Sequence, residues 1–345
     1  MTGGPGRITI RTPAKINLLL RINGKRSDGY HDIVTVMQMV DLWDELIIDD
    51  ADDLELICKD REVPSDQENL AYKAAATLKE CSDVKRGARI VLNKNIPVAA
   101  GLGGGSSDAA ATLAGLNILW GLGYATDRLA VIGREIGSDV PFFLYGPLAI
   151  GYGRGDELST LLNQTDYWFL LVNPGIQIST AWAYGQFSSC HSELASCHAE
   201  LVSASHEIPK QVRNDRKQVH GDIRNSCKWI GPFLQTKLGL TNGDVHIKIF
   251  LPDGFKREEN KIWLLPFNDL EEVVIKRYPI IRKIKEEMVA CGAMCSLMSG
   301  SGSTVFGIFK DRDSAERAYR TLRHSKWRSW VVSALHSSPY SSINY

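Results

Sequence analysis

The sequence predicts an α+β protein of two domains, residues 1–163 and 164–345, and three observations predict it. A chain of 345 residues is longer than one hydrophobic core usually organises. The first half opens on β-patterned segments and then turns to helix-patterned ones. The end of the chain runs α-β-β-α-β, an order that suits helices on one side of an antiparallel sheet, the split-βαβ sandwich. The polar stretch Asp156 to Asp166 marks the expected boundary.

Taken in order, residues 7–23 read as two short strands broken at Pro13, and Leu42 to Ile57 continues in a β pattern with acidic turns. Asn69 to Cys81 is helical, because Leu70, Ala74, Leu78 and Cys81 recur at helical spacing. Ile90 to Leu92 is a strand, and Asp108 to Leu119 a helix that ends near Gly121 or Gly123. A further helix starts at Thr126, with Leu129, Ile132 and Ile136 on one face. Phe142 to Tyr145 and Leu148 to Tyr152 read as apolar strands. The second half begins with a strand, Tyr167 to Val172, and a short helix. Then come helices Asp269 to Arg277 and Pro279 to Ala290, and strands Met294 to Met298 and Thr304 to Phe309. A helix, Ser314 to His324, and a strand, Trp327 to Ala334, complete the order; the tail from Ser337 is expected to fray.

Composition narrows the function classes. Forty basic residues balance forty acidic ones, which gives no support to a nucleic-acid partner. No apolar run is long enough for a membrane helix, and the start lacks an apolar signal core, so a cytoplasmic protein is expected. The seven cysteines are odd in number and scattered, which argues for reduced thiols. Residues 189–226 look like a surface insertion: they are polar, lack periodicity, and hold an imperfect repeat, His191 to Ser196 against His198 to Ser203. The run Cys197 to Asp215 resembles a translated palindromic repeat. The segment gathers Cys190, His191, Cys197, His198 and His206, but adjacent Cys and His side chains rarely share one tetrahedral metal.

The strongest chemical signal is Pro97-Val-Ala-Ala-Gly-Leu-Gly-Gly-Gly-Ser-Ser-Asp108. Glycine lets backbone N–H groups approach an anion, and a helix N-terminus adds its dipole. A strand, a glycine loop and a helix start together form a phosphate cradle. The loop lacks the Gly-Lys-Ser/Thr of a P-loop, the sixth-position glycine of a dinucleotide fingerprint, and the second glycine of a nucleophile elbow. Three other segments accompany it. Lys15, in Pro13-Ala-Lys-Ile-Asn17, is an ammonium in an apolar strand: either a snorkelling side chain or a site residue. Asp139, in Gly137-Ser-Asp-Val-Pro141, is either a helix cap or a base. Met298-Ser-Gly-Ser-Gly-Ser-Thr304 is either a plain hairpin or a second backbone-rich turn at the site.

Together these motifs resemble the GHMP kinase superfamily. Arg26-Ser-Asp-Gly-Tyr-His31, Asn69-Leu, Gly137 to Pro141 and Asn268-Asp-Leu-Glu271 are similar to the branch that phosphorylates 4-diphosphocytidyl-2-C-methyl-D-erythritol. The resemblance implies an N-terminal, ATP-binding domain of the ribosomal S5 domain 2-like type and a ferredoxin-like C-terminal substrate domain. It implies transfer of the ATP γ-phosphate to the C2 hydroxyl of the methylerythritol, in non-mevalonate isoprenoid biosynthesis. Homoserine or mevalonate as acceptor, or a non-catalytic nucleotide-binding protein, remain as alternatives. On this resemblance Lys15 and Asp139 are the catalytic pair, with Asp139 as general base and Lys15 offsetting negative charge. The ATP site falls on Asn69, Lys94, Pro97, Ala99, Ala100, Gly101, Leu102, Gly103, Gly104, Gly105, Ser106 and Ser107. Mg²⁺ would arrive with ATP, helped by Ser106 or Ser107 rather than by a protein cage. The acceptor site falls on Asn17, Tyr30, His31, Thr180 and Tyr184; His31 would read the cytosine edge, Tyr30 stack on the ring and Tyr184 cover the other face. Asp108 is expected to turn from the phosphates toward backbone N–H groups. The partners implied are small molecules, with the chain a monomer or a weak homodimer.

Overall fold

The computed structural model describes residues 2–4, 6–60, 63–64, 67–161, 166–189, 246–249, 261–264, 266–323 and 326–340. The candidate insertion lies outside the described residues beyond Ser189, as do its cysteines and histidines. The elements are β1 (Thr2–Gly4), β2 (Arg7–Lys25), β3 (His31–Ala51), β4 (Leu54–Cys58), α1 (Leu70–Ser82) and β5 (Gly87–Asn93). Then follow α2 (Gly104–Leu119), α3 (Thr126–Ile136), α4 (Val140–Tyr145), β6 (Leu148–Tyr152), β7 (Glu157–Thr160), β8 (Trp168–Asn173) and a helix α5 over residues 180–189. A parallel pair, β9 (His246–Ile249) and β10 (Lys261–Leu264), precedes β11 (Phe267–Asn268). The chain ends with α6 (Glu271–Arg277), α7 (Ile280–Ala290), β12 (Cys295–Met298), β13 (Val305–Phe309), α8 (Arg312–Thr321) and β14 (Arg328–Ser333).

The layers run helix, sheet, sheet, helix. The large sheet has the path β1-β2-β3-β5-β4, with β6 added on β3 and β11 on β2. One face of it holds α1 and α2 over Ile8, Ile10, Leu46 and Ile48. The second sheet has the order β12-β13-β8-β14, every pair antiparallel. Its inner face packs Phe169, Leu171, Phe306 and Ile308 against Ala14, Ile16 and Leu18 of β2. Its outer face is covered by α6, α7 and α8 through Val274, Ile281, Ile284 and Ala315. The expected α+β split-βαβ sandwich is therefore present. Among the described residues no helix is long and apolar enough to cross a membrane.

Three readings need correction. Pro13 does not break residues 7–23 into two strands; β2 runs through it, with a register shift between Pro13 and Ala14. A bulge is where a strand tolerates proline. The shift also exchanges faces: Ile8 and Ile10 join the helix-side core, whereas Ala14, Ile16 and Leu18 join the core between the sheets. Phe142 to Tyr145 is helical rather than extended, with Pro141 in the first turn of α4, a position whose fixed φ suits a helix start. The tail is not frayed at Tyr340, which is buried in the helix-side core.

Candidate active site

The bulge at Pro13 turns Lys15 and Asn17 toward one cleft of about 1050 Å³. The Lys15 ammonium donates to Asn17 Oδ1 at 2.6 Å and lies 3.4 Å from Asp139 Oδ2. Its side chain is 6% exposed against 31% for Asp139, so the pair is sealed on the lysine side and open on the carboxylate side. Asp139 stands at the N-cap of α4 yet makes no side-chain cap bond, which leaves its carboxylate for the cleft. Asn17 is itself held, donating to Thr35 Oγ1 at 2.9 Å. A buried ammonium held by an amide oxygen and a carboxylate answers the cost of removing it from water.

The glycine loop crosses beside this pair. Gly101 and Gly103 have φ of +77° and +69°, the left-handed region that glycine enters without strain. A Cβ on Gly101 would lie 2.0 Å from the Ser299 carbonyl, and one on Gly103 would lie 2.9 Å from both Lys15 and Phe143. The loop is therefore pressed between β2, α4 and the Ser299–Thr304 turn. Helix α2 starts at Gly104, four residues ahead of the expected Asp108, and has no side-chain cap. The N–H groups of Gly104, Gly105 and Ser106 thus lack partners inside the helix, at the positive end of a helix sixteen residues long. Ser106 lines the cleft. Ser107 does not: fully buried, it donates to the Pro13 carbonyl at 2.6 Å. Of the two serines expected near a metal ion, only Ser106 faces the cavity.

The Ser299–Thr304 turn is more than a hairpin. Ser299 Oγ donates to the Gly101 carbonyl at 2.9 Å and accepts from Asn17 N–H at 3.3 Å. Asn268 donates to the carbonyls of Met298 at 2.8 Å and Gly300 at 2.7 Å. Its own Oδ1 accepts from Leu270 N–H at 2.9 Å, fixing the start of α6.

On the far side of the loop sits a second lysine. Lys94 donates to Asp108 Oδ2 at 2.8 Å and to Asp44 Oδ2. Asp44 also accepts from Ile96 N–H at 2.8 Å. Asp108 lines the cleft and meets Lys94 rather than the expected backbone N–H groups, and its Oδ1 has no partner among the described residues. Burial first, and then the Asp44 charge, push the Asp108 carboxyl well above the usual carboxylate range, against the pull of Lys94. Asn69 caps α1, accepting from Ala71 N–H at 2.9 Å and donating to the Pro64 carbonyl at 2.7 Å.

At the other end of the cleft, His31 and Tyr184 have ring centroids 4.9 Å apart, tilted by 34°. His31 Nε2 is 2.7 Å from Ser188 Oγ. Burial and then the nearby Lys25 charge lower the imidazole pKa, which favours the neutral ring. Tyr30 is 53% exposed, with one face covered by the Arg154 guanidinium 3.9 Å from its centroid. Thr180 Oγ1 lies 2.9 Å from Ser301 Oγ. Of the residues expected at the site, the cleft gathers Lys15, Asn17, Tyr30, His31, Asn69, Lys94, Pro97, Ala99 to Gly101, Gly103 to Ser106, Asp139, Thr180 and Tyr184. Leu102 and Ser107 face the core instead. Sequence reading missed Asp44, Thr35, Ser188 and Arg154. Only Arg154 left a mark, as a cation between two turn glycines, Gly153 and Gly155.

Among the described residues no group of three or more His, Cys, Asp or Glu could hold a metal ion. The cleft does fit a nucleoside triphosphate, because Gly103 to Ser106 line it at the uncapped start of α2. It can hold an anionic phosphate chain against uncapped amides and bring an alcohol to Asp139.

Residues 69–147 match the family model for the GHMP kinase N-terminal domain, and residues 252–328 match that for the GHMP kinase C-terminal region. The chain is 40% identical over 319 residues to a 4-diphosphocytidyl-2-C-methyl-D-erythritol kinase of Geobacillus sp. (strain WCH70), covering 92% of this chain and 93% of the relative. A crystal structure of a 4-(cytidine 5'-diphospho)-2C-methyl-D-erythritol kinase superposes with a TM-score of 0.65 at 28% identity, over 95% of this chain and 99% of that one. A homoserine kinase from Cytophaga hutchinsonii shares the fold at 16% identity and a TM-score of 0.61, over 98% of each chain.

Proposed function

This chain belongs to the GHMP kinases, in the 4-diphosphocytidyl-2-C-methyl-D-erythritol kinase family, and we propose that Lys15 and Asp139 carry that family's phosphoryl transfer here. The enzyme phosphorylates 4-diphosphocytidyl-2-C-methyl-D-erythritol at the expense of ATP, in non-mevalonate isoprenoid synthesis. Asp139 accepts the proton of the C2 hydroxyl as its oxygen bonds to the γ-phosphorus and the bond to ADP breaks. Lys15, 3.4 Å away, offsets charge on the carboxylate and on the transferring group. The uncapped amides at the start of α2 hold the phosphates, and Ser106 assists the Mg²⁺ that accompanies ATP. His31, Tyr184 and Tyr30 receive the cytosine, and Arg154 brings a cation to the same end. The reaction draws on cytoplasmic ATP. Residues 1–163 carry the nucleotide and residues 164–345 complete the acceptor pocket.

The observation that carries this reading is the Lys15–Asp139 pair beside the glycine cradle, in one cleft with the His31–Tyr184 ring pair. The test is ATP consumption with 4-diphosphocytidyl-2-C-methyl-D-erythritol, homoserine and mevalonate in parallel. Turnover of the first alone is expected, with Asp139→Asn lowering kcat about 10²–10⁴-fold. Preference for either other acceptor, or an Asp139→Asn enzyme as fast as the parent, overturns it.

A further inference from the structure

The C-terminal tail crosses from the second sheet back to the large one. Ala334 bridges Val40, and Leu335 N–H donates to the Met39 carbonyl at 2.9 Å. A local turn, in which Tyr340 N–H donates to Ser338 Oγ at 3.2 Å, then drops the Tyr340 ring into the core behind the glycine loop. There the Tyr340 hydroxyl meets Thr12 Oγ1 at 3.3 Å, and Thr12 Oγ1 meets Ser107 Oγ. All three side chains are buried.

The direction of these bonds follows from counting protons. Ser107 spends its single hydroxyl proton on the Pro13 carbonyl, which can only accept. Thr12 must then donate to Ser107, and Tyr340 must donate to Thr12. The result is a one-way chain, Tyr340 to Thr12 to Ser107 to the Pro13 carbonyl. Its last two members matter for the site. Ser107 lies in the first turn of α2, where its N–H closes on the Gly103 carbonyl at 2.9 Å. Pro13 stands at the register shift two residues before Lys15 on the same strand. The chain of hydroxyls thus ties the phosphate cradle to the strand that carries the catalytic lysine.

We propose that Tyr340 is a positioning residue: through Thr12 and Ser107 it sets the phosphate loop against Lys15, so that the tail of the second domain completes the nucleotide site of the first. The proposal rests on the kinase reading above for its kinetic test, and on nucleotide affinity for a test independent of it. Tyr340→Phe keeps the ring and removes one proton donor, leaving a buried hydroxyl acceptor unsatisfied. The net worth of such a bond is about 0.5–1.5 kcal/mol, or about two- to thirteenfold.

The experiment uses the full chain, with Tyr340→Phe and, as a second variant that also keeps shape, Thr12→Val. We expect each to weaken ATP binding, read by calorimetry, and to raise the KM for ATP by about two- to thirteenfold. The KM for the cytidine substrate should not move, and the double variant should be no worse than Thr12→Val alone. A merely structural role predicts a lower Tm with both KM values of the folded enzyme unchanged, and that result overturns the proposal. So does unchanged ATP affinity in both single variants. If the parent turns over no substrate, the kinase reading fails, but the calorimetric comparison still decides the role of Tyr340.

Discussion

Two buried lysines flank the glycine loop, and they are built to opposite ends. Among the described residues Lys15 has one carboxylate neighbour, Asp139, whose side chain remains 31% exposed. Lys94 has two, Asp44 and Asp108, at side-chain exposures of 0% and 3%. The first pair leaves a carboxylate able to reach a substrate. The second encloses both carboxylates and spends Asp44 on the backbone that leads into the loop, through Ile96 N–H. On the proposed mechanism the same two residue types serve chemistry on one side and architecture on the other, and water access separates them. Burying charge with full pairing is costly to disturb, whereas an exposed partner can change its protonation or its contact at little cost.

Removing each lysine in turn gives the largest contrast. Lys15→Met should lower kcat about 10²–10³-fold, the usual loss for one preorganised charge donor, with thermal stability close to the parent. Lys94→Met leaves two carboxylates facing each other in the core, and should cost about 3–5 kcal/mol of stability. Steady-state kinetics and thermal melts on both variants read the difference. A Lys94→Met protein as stable as its parent, or a Lys15→Met protein that melts far earlier with normal kcat, would reverse the assignment.

The adjacent glycines sharpen the comparison, because each touches one lysine. A Cβ on Gly103 would press on Lys15 at 2.9 Å, and one on Gly104 would lie 3.1 Å from Lys94 Nζ and 3.0 Å from Ile96. Gly103→Ala must also hold φ near +69°, which is strained for any residue with a Cβ. It should reduce kcat more than tenfold by displacing the lysine stem, in line with about 1–3 kcal/mol of strain. Gly104→Ala sits at the first position of α2 with no positive φ to strain it, so crowding against Ile96 and Lys94 is its main cost. Its effect should be a smaller rise in the KM for ATP with kcat near normal. Equal losses of kcat in the two variants would show that the loop responds as one body.

Which of these features could be read in the sequence follows the same division. Lys15 was legible because an ammonium in an apolar strand is anomalous by itself. The loop was legible because a run of glycines before a helix has few other uses, although its start at Gly104 was not: glycine carries no helix signal of its own. Asp44 was invisible. It sits in an acidic strand segment beside Asp41 and Glu45, and only the fold shows that it is the one paired with a lysine fifty residues away. Phe142 to Tyr145 failed for a different reason, since a short apolar run has no period that separates helix from strand. The tail failed because Ser337-Ser-Pro-Tyr340 is turn-like in composition, and nothing local says that its tyrosine reaches a core built by β2 and α2. Motifs that are chemically odd announced themselves; residues that act only through long-range partners did not.

The smallest expected effect tests whether the enclosed cluster carries a proton. Burial and the neighbouring Asp44 charge push the Asp108 carboxyl from 3.8 up to about 7, against the pull of Lys94. Lys94 and Asp44 act on Asp108 there, and the Asp108 charge in turn reaches the buried Tyr340 and the Cys58 thiol. In the unfolded chain Asp108 loses its proton near the ordinary value, whereas in the folded one it keeps the proton longer. Between those two limits the folded state binds more protons than the unfolded, so this group's contribution to stability falls as pH rises and is fully lost once pH passes the folded value. Asp108→Asn cannot ionise, and its amide can still meet Lys94 through oxygen and Asp44 through nitrogen. The Tm of Asp108→Asn relative to the parent should therefore increase from pH 5 to pH 8, by about 1–2 °C for each 1 kcal/mol involved. A difference that stays flat with pH would mean that Asp108 remains charged throughout. The lysine would then sit between two anions, and the cluster would differ from the Lys15–Asp139 pair only in depth.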